Sequence, residues 1–264
     1  DCSLVEDEIY KLPKLKYRTD VENKIMFGCQ MVIFNENEDS QHIVIYLHGG
    51  AYVSEITIPH ISFCDKIAEK TNSTVFAPLY PLAPNHTFEE TYEIVEKLYE
   101  HVLTMKKPII IMGDSSGGGL SAAFCEYIAS NGIRQPEHLI LISPWVDVTF
   151  SGDYEDYLDY DLMIGKDGLC EIGNVWAGGT DPKDYRISPL FGDVSELPET
   201  TIFIGSHEII YPDIIKFHEK LKSNGVESKL IVGEGMTHVS TRYADVPESK
   251  DALNQIVEII NRQK

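Results

Sequence analysis

Long hydrophobic runs are missing from this 264-residue chain. No segment approaches the roughly 18 consecutive apolar residues of a membrane span, and no charged-then-apolar leader opens it, so nothing marks it for insertion or export. It begins at Asp1, not Met, which leaves its start open to processing. Cations are scarce: 22 Lys and Arg stand against 42 Asp and Glu, a formal net charge of −20. Such a surface repels phosphate backbones and anionic head groups, which argues against nucleic-acid and membrane partners and for a neutral or cationic small molecule. Metal-type cysteine spacing is missing too. The five cysteines, at 2, 29, 64, 125 and 170, show no CxxC or CxxH, and Cys64 and Cys125 fall in helix-like stretches as small apolar residues. A reducing, cytoplasmic setting is the simpler expectation. There is no internal repeat and no low-complexity linker, and the acidic run "DYEDYLDYD" (153–161) lacks the glycine of a calcium loop, so it reads as a solvated face with no metal site.

What is present is alternation. Short β-branched runs at 43–47, 73–79, 108–112, 138–143, 201–205 and 228–232 are separated by amphipathic stretches near 58–71, 88–105, 117–130, 212–223 and 246–262. Continuous apolar strands divided by helices predict a mostly parallel α/β sheet covered on both faces, in one domain spanning 1–264. The alternation lapses once, between 143 and 201, where aromatics and acids do not form a single crossover helix; this interval reads as a partial lid.

"GDSSGGG" (113–119) joins the third of these strands to a helix. A serine nucleophile at such an elbow needs glycine-sized neighbours two residues away on each side. Gly113 and Gly117 flank Ser115 in that way, whereas Ser116 has Asp114 at minus two, so Ser115 is the candidate. The hydroxyl needs a base and fixed oxyanion donors. "YLHGGAY" (46–52) follows a central strand, and Gly49 and Gly50 with the N–H of Ser116 are the candidate oxyanion hole. "GEGMTHVS" places His238 in a loop after the last strand, as the base. The other eight histidines are read as surface or core residues.

With these segments in view the chain resembles the hormone-sensitive-lipase-like carboxylesterases of the α/β-hydrolase superfamily. "HGGAY", "YPLAPNHTF", "GDSSGG", "SPWVDVT", "ISPLFGDVSELPETTIFIGS" and "EGMTHVS" occur in that family's order. The resemblance implies an eight-stranded sheet with a small cap built from about 1–25 and 146–190. It also implies hydrolysis of short-chain acyl esters, a small-molecule ester substrate and no cofactor. It leaves oligomeric state open, a homodimer being one arrangement. Two departures stand out. Ala51 replaces the family's third glycine, and with Tyr52 it is expected to crowd the acyl side of the substrate pocket. The acid segment reads "IGSHEIIYPD": aligning on Asp213 makes Glu208 the triad acid, while aligning from Gly205 puts His207 there. Glu208 is preferred, since a histidine cannot orient an imidazole as a carboxylate does and Asp213 reads as a first-turn helix acid. Two rivals remain: an amidase or peptidase on the same site, and a receptor-like ligand-binding protein on a weakened hydrolase fold.

Overall fold

A computed structural model describes residues 10–242 and 246–263. Eight strands form one sheet: β1 (Val21–Met26), β2 (Cys29–Phe34), β3 (His42–Leu47), β4 (Ser73–Pro78), β5 (Ile109–Asp114), β6 (His138–Ile142), β7 (Thr200–Gly205) and β8 (Ser228–Gly233). Their order is β1-β2-β4-β3-β5-β6-β7-β8, antiparallel at the β1–β2 and β2–β4 pairs and parallel elsewhere. Six helices follow: α1 (Ile58–Thr71), α2 (Phe88–Leu103), α3 (Ser116–Ser130), α4 (Lys166–Trp176), α5 (Tyr211–Ser223) and α6 (Pro247–Arg262).

Because side chains alternate across a strand, the continuous apolar runs feed two cores. Ile43, Ile45, Ile109, Ile111, Leu139 and Leu141 enter one, beneath α2, α3 and α5. Val44, Tyr46, Ile110, Met112, Ile140 and Ile142 enter the other, beneath α1 and α6. Cys64 on α1 and Cys125 on α3 are fully buried within these layers, as their helical context suggested.

Two strands escape the sequence pattern. β1, "VENKIM", is polar and only partly covered at the sheet edge, and its hairpin to β2 turns on Phe27 and Gly28, both at positive φ (55° and 80°). That two-residue loop has the geometry of the turns that match strand twist, but Phe-Gly lacks the usual Asn-Gly or Asp-Gly signature. The hairpin takes up the end of the segment expected to form the N-terminal part of the cap. Residues 21–25 belong to the sheet; before them the backbone of Tyr10 is bonded to the side chains of Gln30 and Asn23 in the hairpin, and Asp65 on α1 accepts the backbone N–H groups of Arg18 and Thr19. The start of that expected segment, 1–9, lies outside the described residues.

The interval between β6 and β7 contains α4 and two short 3₁₀ turns. Most of the acidic run is exposed, but Asp161 is buried and accepts the N–H groups of Met163, Ile164 and Ile209 (2.9, 3.1 and 3.0 Å). One carboxylate thus ties the insertion to the loop after β7.

The strand order reverses at β3, with β4 on one side and β5 on the other. In open α/β sheets the crevice at the carboxyl ends beside such a reversal holds ligands. The loops after β3 and β5 carry "HGGAY" and Ser115.

Candidate active site

Ser115 sits between β5 and α3 with φ 51° and ψ −122°, a conformation that costs a non-glycine residue of order 1–3 kcal/mol and persists because its surroundings over-determine it. Its N–H donates to Ile142 (2.9 Å), and its carbonyl accepts from Trp145 and Gly119 (2.9 and 3.0 Å). The flanking glycines are sterically required. A Cβ at Gly117 would run into the carbonyl oxygen of Leu47, and one at Gly113 into that of Gly117.

The structure brings Ser115, His238 and Glu208 together from three loops. Ser115 Oγ lies 2.8 Å from His238 Nε2, and His238 Nδ1 lies 2.7 Å from Glu208 Oε2. A carboxylate only accepts, so Nδ1 carries the proton toward Glu208 and Nε2 is left to accept from the Ser115 hydroxyl. Glu208 is wholly buried, with Oε1 accepting from the Gly205 N–H (2.6 Å) and the Ser143 hydroxyl (2.7 Å). Burying a charge is tolerable with that degree of hydrogen bonding. Ser143 also accepts the N–H of Val239 (3.1 Å), so one hydroxyl spans the acid and the residue after the base.

The other two acid candidates are placed elsewhere. Asp213 is in the first turn of α5, with Oδ1 3.7 Å from Lys216 Nζ, and burial, helped by the nearby Asp147, pushes its pKa up to about 6. His207 stacks on Tyr160 with centroids 5.0 Å apart.

The oxyanion expectation needs one correction. The N–H of Gly49 donates to Asp114 Oδ1 (3.0 Å) and is not available to a substrate oxygen. Among the described residues no protein acceptor takes the N–H of Gly50, Ala51 or Ser116, so the donor set available is Gly50, Ala51 and Ser116. Ser116 opens α3, where the N–H groups and the helix dipole favour negative charge.

Asp114 itself organises this corner. Burial would raise its pKa, but Arg242 (Nη2 to Oδ2, 3.2 Å) and His60 (3.4 Å), with a short hydrogen bond from Tyr46, more than offset that and hold it well below the usual carboxylate range. None of Tyr46, His60 and Arg242 carries a sequence signal for this role. The three are brought together only by β3, α1 and the loop after His238.

A cavity of about 310 Å³ opens beside Ser115 and His238. Ala51 lines it, at φ 52°, a backbone conformation that suits the family's glycine better than alanine. Its apolar wall includes Trp145, Met163, Ile164, Leu169 and Ile210, the first four from the interval between β6 and β7. Tyr52, expected to crowd the pocket, is instead buried behind it. Its ring stacks on Trp176 with centroids 4.3 Å apart and planes within 2°, and also on Trp145 at 5.7 Å. At φ 61° its Cβ is turned into the core.

This hydrogen-bonded line lies at the crevice of an α/β-hydrolase sheet, and comparison with known proteins shows the same fold. A family model described as alpha/beta hydrolase fold matches residues 44–242, and the chain belongs to that family. It is 31% identical over 222 residues to an esterase of Acinetobacter venetianus, covering 82% of this chain and 73% of that protein. It is 26% identical over 215 residues to an acetyl-hydrolase of Streptomyces hygroscopicus, covering 80% and 72%. The crystal structure of an esterase from the bacterial hormone-sensitive lipase family superposes with a TM-score of 0.89 at 28% identity, covering 96% of this chain and 86% of that one. The chain is a carboxylic ester hydrolase of this hormone-sensitive-lipase-like group. No helix among the described residues is long and apolar enough to cross a membrane.

Proposed function

We propose that the chain hydrolyses short-chain acyl esters through Ser115, His238 and Glu208 by way of an acyl-enzyme. The observation that carries this reading is the unbroken hydrogen-bond line from Ser115 Oγ through both nitrogens of His238 to a buried Glu208. His238 Nε2 takes the Ser115 proton as Oγ attacks the ester carbonyl, and Glu208 stabilises the imidazolium that forms. The N–H groups of Gly50, Ala51 and Ser116 receive the oxyanion. Collapse expels the alcohol, which leaves with the proton from His238. Water then attacks the acyl group, giving its proton to His238, and Ser115 departs as the hydroxyl.

Short acyl chains suit a 310 Å³ cavity with the Ala51 methyl beside the oxyanion donors. The name of the Streptomyces relative, acetyl-hydrolase, supports the same end of the scale. Each methylene that fits adds at most about 1 kcal/mol, and one that does not fit subtracts. Across p-nitrophenyl esters from acetyl to lauroyl, kcat/KM is expected to peak between acetyl and hexanoyl and then fall. A value still rising at lauroyl contradicts the short-chain assignment.

A further inference from the structure

A second concavity, of about 840 Å³, runs on from the catalytic cavity between α1 and α6, and Thr57, Met163, Val239 and Arg242 line both. Its charge is opposite to that of the molecule. Acids outnumber cations 42 to 22 in the chain, yet the described residues lining this groove include Arg18, Lys66, Lys70, Arg242 and Lys250 against the single carboxylate of Glu69. The two arginines are engaged, Arg18 with Asp65 and Glu69 and Arg242 with Asp114. Among the described residues, Lys66, Lys70 and Lys250 have no carboxylate within ion-pair distance. Lys66 and Lys70 are also four apart on one face of α1, a like-charge spacing that disfavours the helix unless something offsets it. The groove's lining also includes the apolar Phe63 and Leu253, which belong to the core between α1 and α6.

We infer that this groove binds the alcohol half of the substrate and that this half carries an anionic group, a carboxylate or phosphate, beyond an apolar spacer. The inference rests on the esterase reading above. In that chemistry His238 must hand its proton to the departing oxygen, so the alcohol half lies on the histidine side. Val239 and Arg242, which follow His238 in the chain, form the passage from there into the groove. The overall charge of −20 pointed to neutral or cationic substrates, but at a Debye length near 8 Å the local lysines govern what enters.

The test compares acetate esters of six- and ten-carbon ω-hydroxyalkanoic acids with the same esters whose carboxylate is capped as the N-methyl amide. Acetate release is measured for wild type, a Lys66→Gln/Lys70→Gln/Lys250→Gln variant and Lys97→Gln, a remote exposed lysine on α2. Each of these lysines, two exposed and Lys66 half-buried, contributes a factor of about 1.4 to 5. Wild type is therefore expected to favour the anionic ester by about tenfold in kcat/KM at low salt, mostly through KM, and the preference should shrink as salt rises. The triple variant should bring the ratio to near one, while Lys97→Gln should preserve it. Equal kcat/KM for the two esters in wild type, or a preference that survives in the triple variant, overturns the anionic-alcohol inference. Ser115-dependent turnover of the neutral ester would in that case leave the esterase reading standing. Absence of Ser115-dependent turnover of either ester overturns both.

Discussion

Glu208 follows β7 by three residues, and its extra methylene over aspartate lets the carboxylate meet His238 Nδ1 while the same group accepts from Gly205 and Ser143. Losing the acid in a related triad costs about 10⁴ in kcat. Glu208→Gln is therefore expected to lower kcat by several orders of magnitude with the fold intact. Asp213→Asn and His207→Asn should stay within about tenfold of wild type, with Asp213→Asn acting mainly on the melting temperature. Steady-state kinetics of the three variants side by side check the assignment, and near-normal kcat in Glu208→Gln would end it. Ala51 gives a second test. Its φ of 52° puts it in a region alanine adopts only at a cost of about 1 kcal/mol, and it lines the cavity. Ala51→Gly is expected to leave stability unchanged or slightly raised and to shift the acyl-length optimum toward longer chains, read from ester-series kinetics. In the sequence Glu208 ranked above His207 and Asp213 by the family alignment, because a histidine cannot orient an imidazole as a carboxylate does and Asp213 reads as a first-turn helix acid. The direction of the Gly49 N–H was not legible, because it depends on a carboxylate 65 positions away whose own state is set by Arg242 and His60.

The insertion between β6 and β7 is built as a wall anchored at its ends. α4 closes on Trp176, fully buried against Tyr52, while Asp161 clips the preceding loop to Ile209, next to the triad acid. Trp176→Ala should cost about 3–5 kcal/mol as a large cavity opens in the core. Since Tyr52 follows directly on Ala51, the same change should also lower kcat. Urea melts and kinetics measured together check this, and a loss of less than about 1 kcal/mol would mean the stack is incidental. Elements of this kind divide cleanly in legibility. β3 and β5 are continuous apolar runs buried on both faces, and their position and role could be read directly. β1 is a polar edge strand with an atypical turn, and α4, although amphipathic, opens on Gly-Lys-Asp with no side-chain cap and holds Gly168 and Gly173 inside it, so the punctuation on which sequence reading depends was missing. Tyr52 was misplaced because a positive φ reverses where a side chain points, and nothing at that position announces one.

At the scale of the whole molecule, buried titratable groups couple stability to pH. Burial lowers His48 and His138 to about 4, so both contribute stability that is present above pH 6.5 and lost as pH falls toward 4. Glu126 on α3 acts in the opposite sense. Burial, moderated by Lys220, pushes its pKa up to about 9, so it is protonated in the folded state and ionised in the unfolded one, and stability falls as pH rises from 4.5 toward 9. The histidine slope fades about one pH unit above their free value of 6.5, and beyond that Glu126 contributes a loss approaching about 1.4 kcal/mol per pH unit. Glu126→Gln should remove that loss, so urea melts between pH 6.5 and 8.5 should diverge between variant and wild type, and parallel curves would contradict it. The central claim, that this sheet exists to present Ser115 as a nucleophile, is tested most directly by treating the whole protein with an organophosphate probe and following the added mass by peptide mapping. One covalent group per molecule on Ser115, with loss of ester hydrolysis, is the expected result. A label on Ser116, or no label on a protein that still hydrolyses esters, would contradict the account.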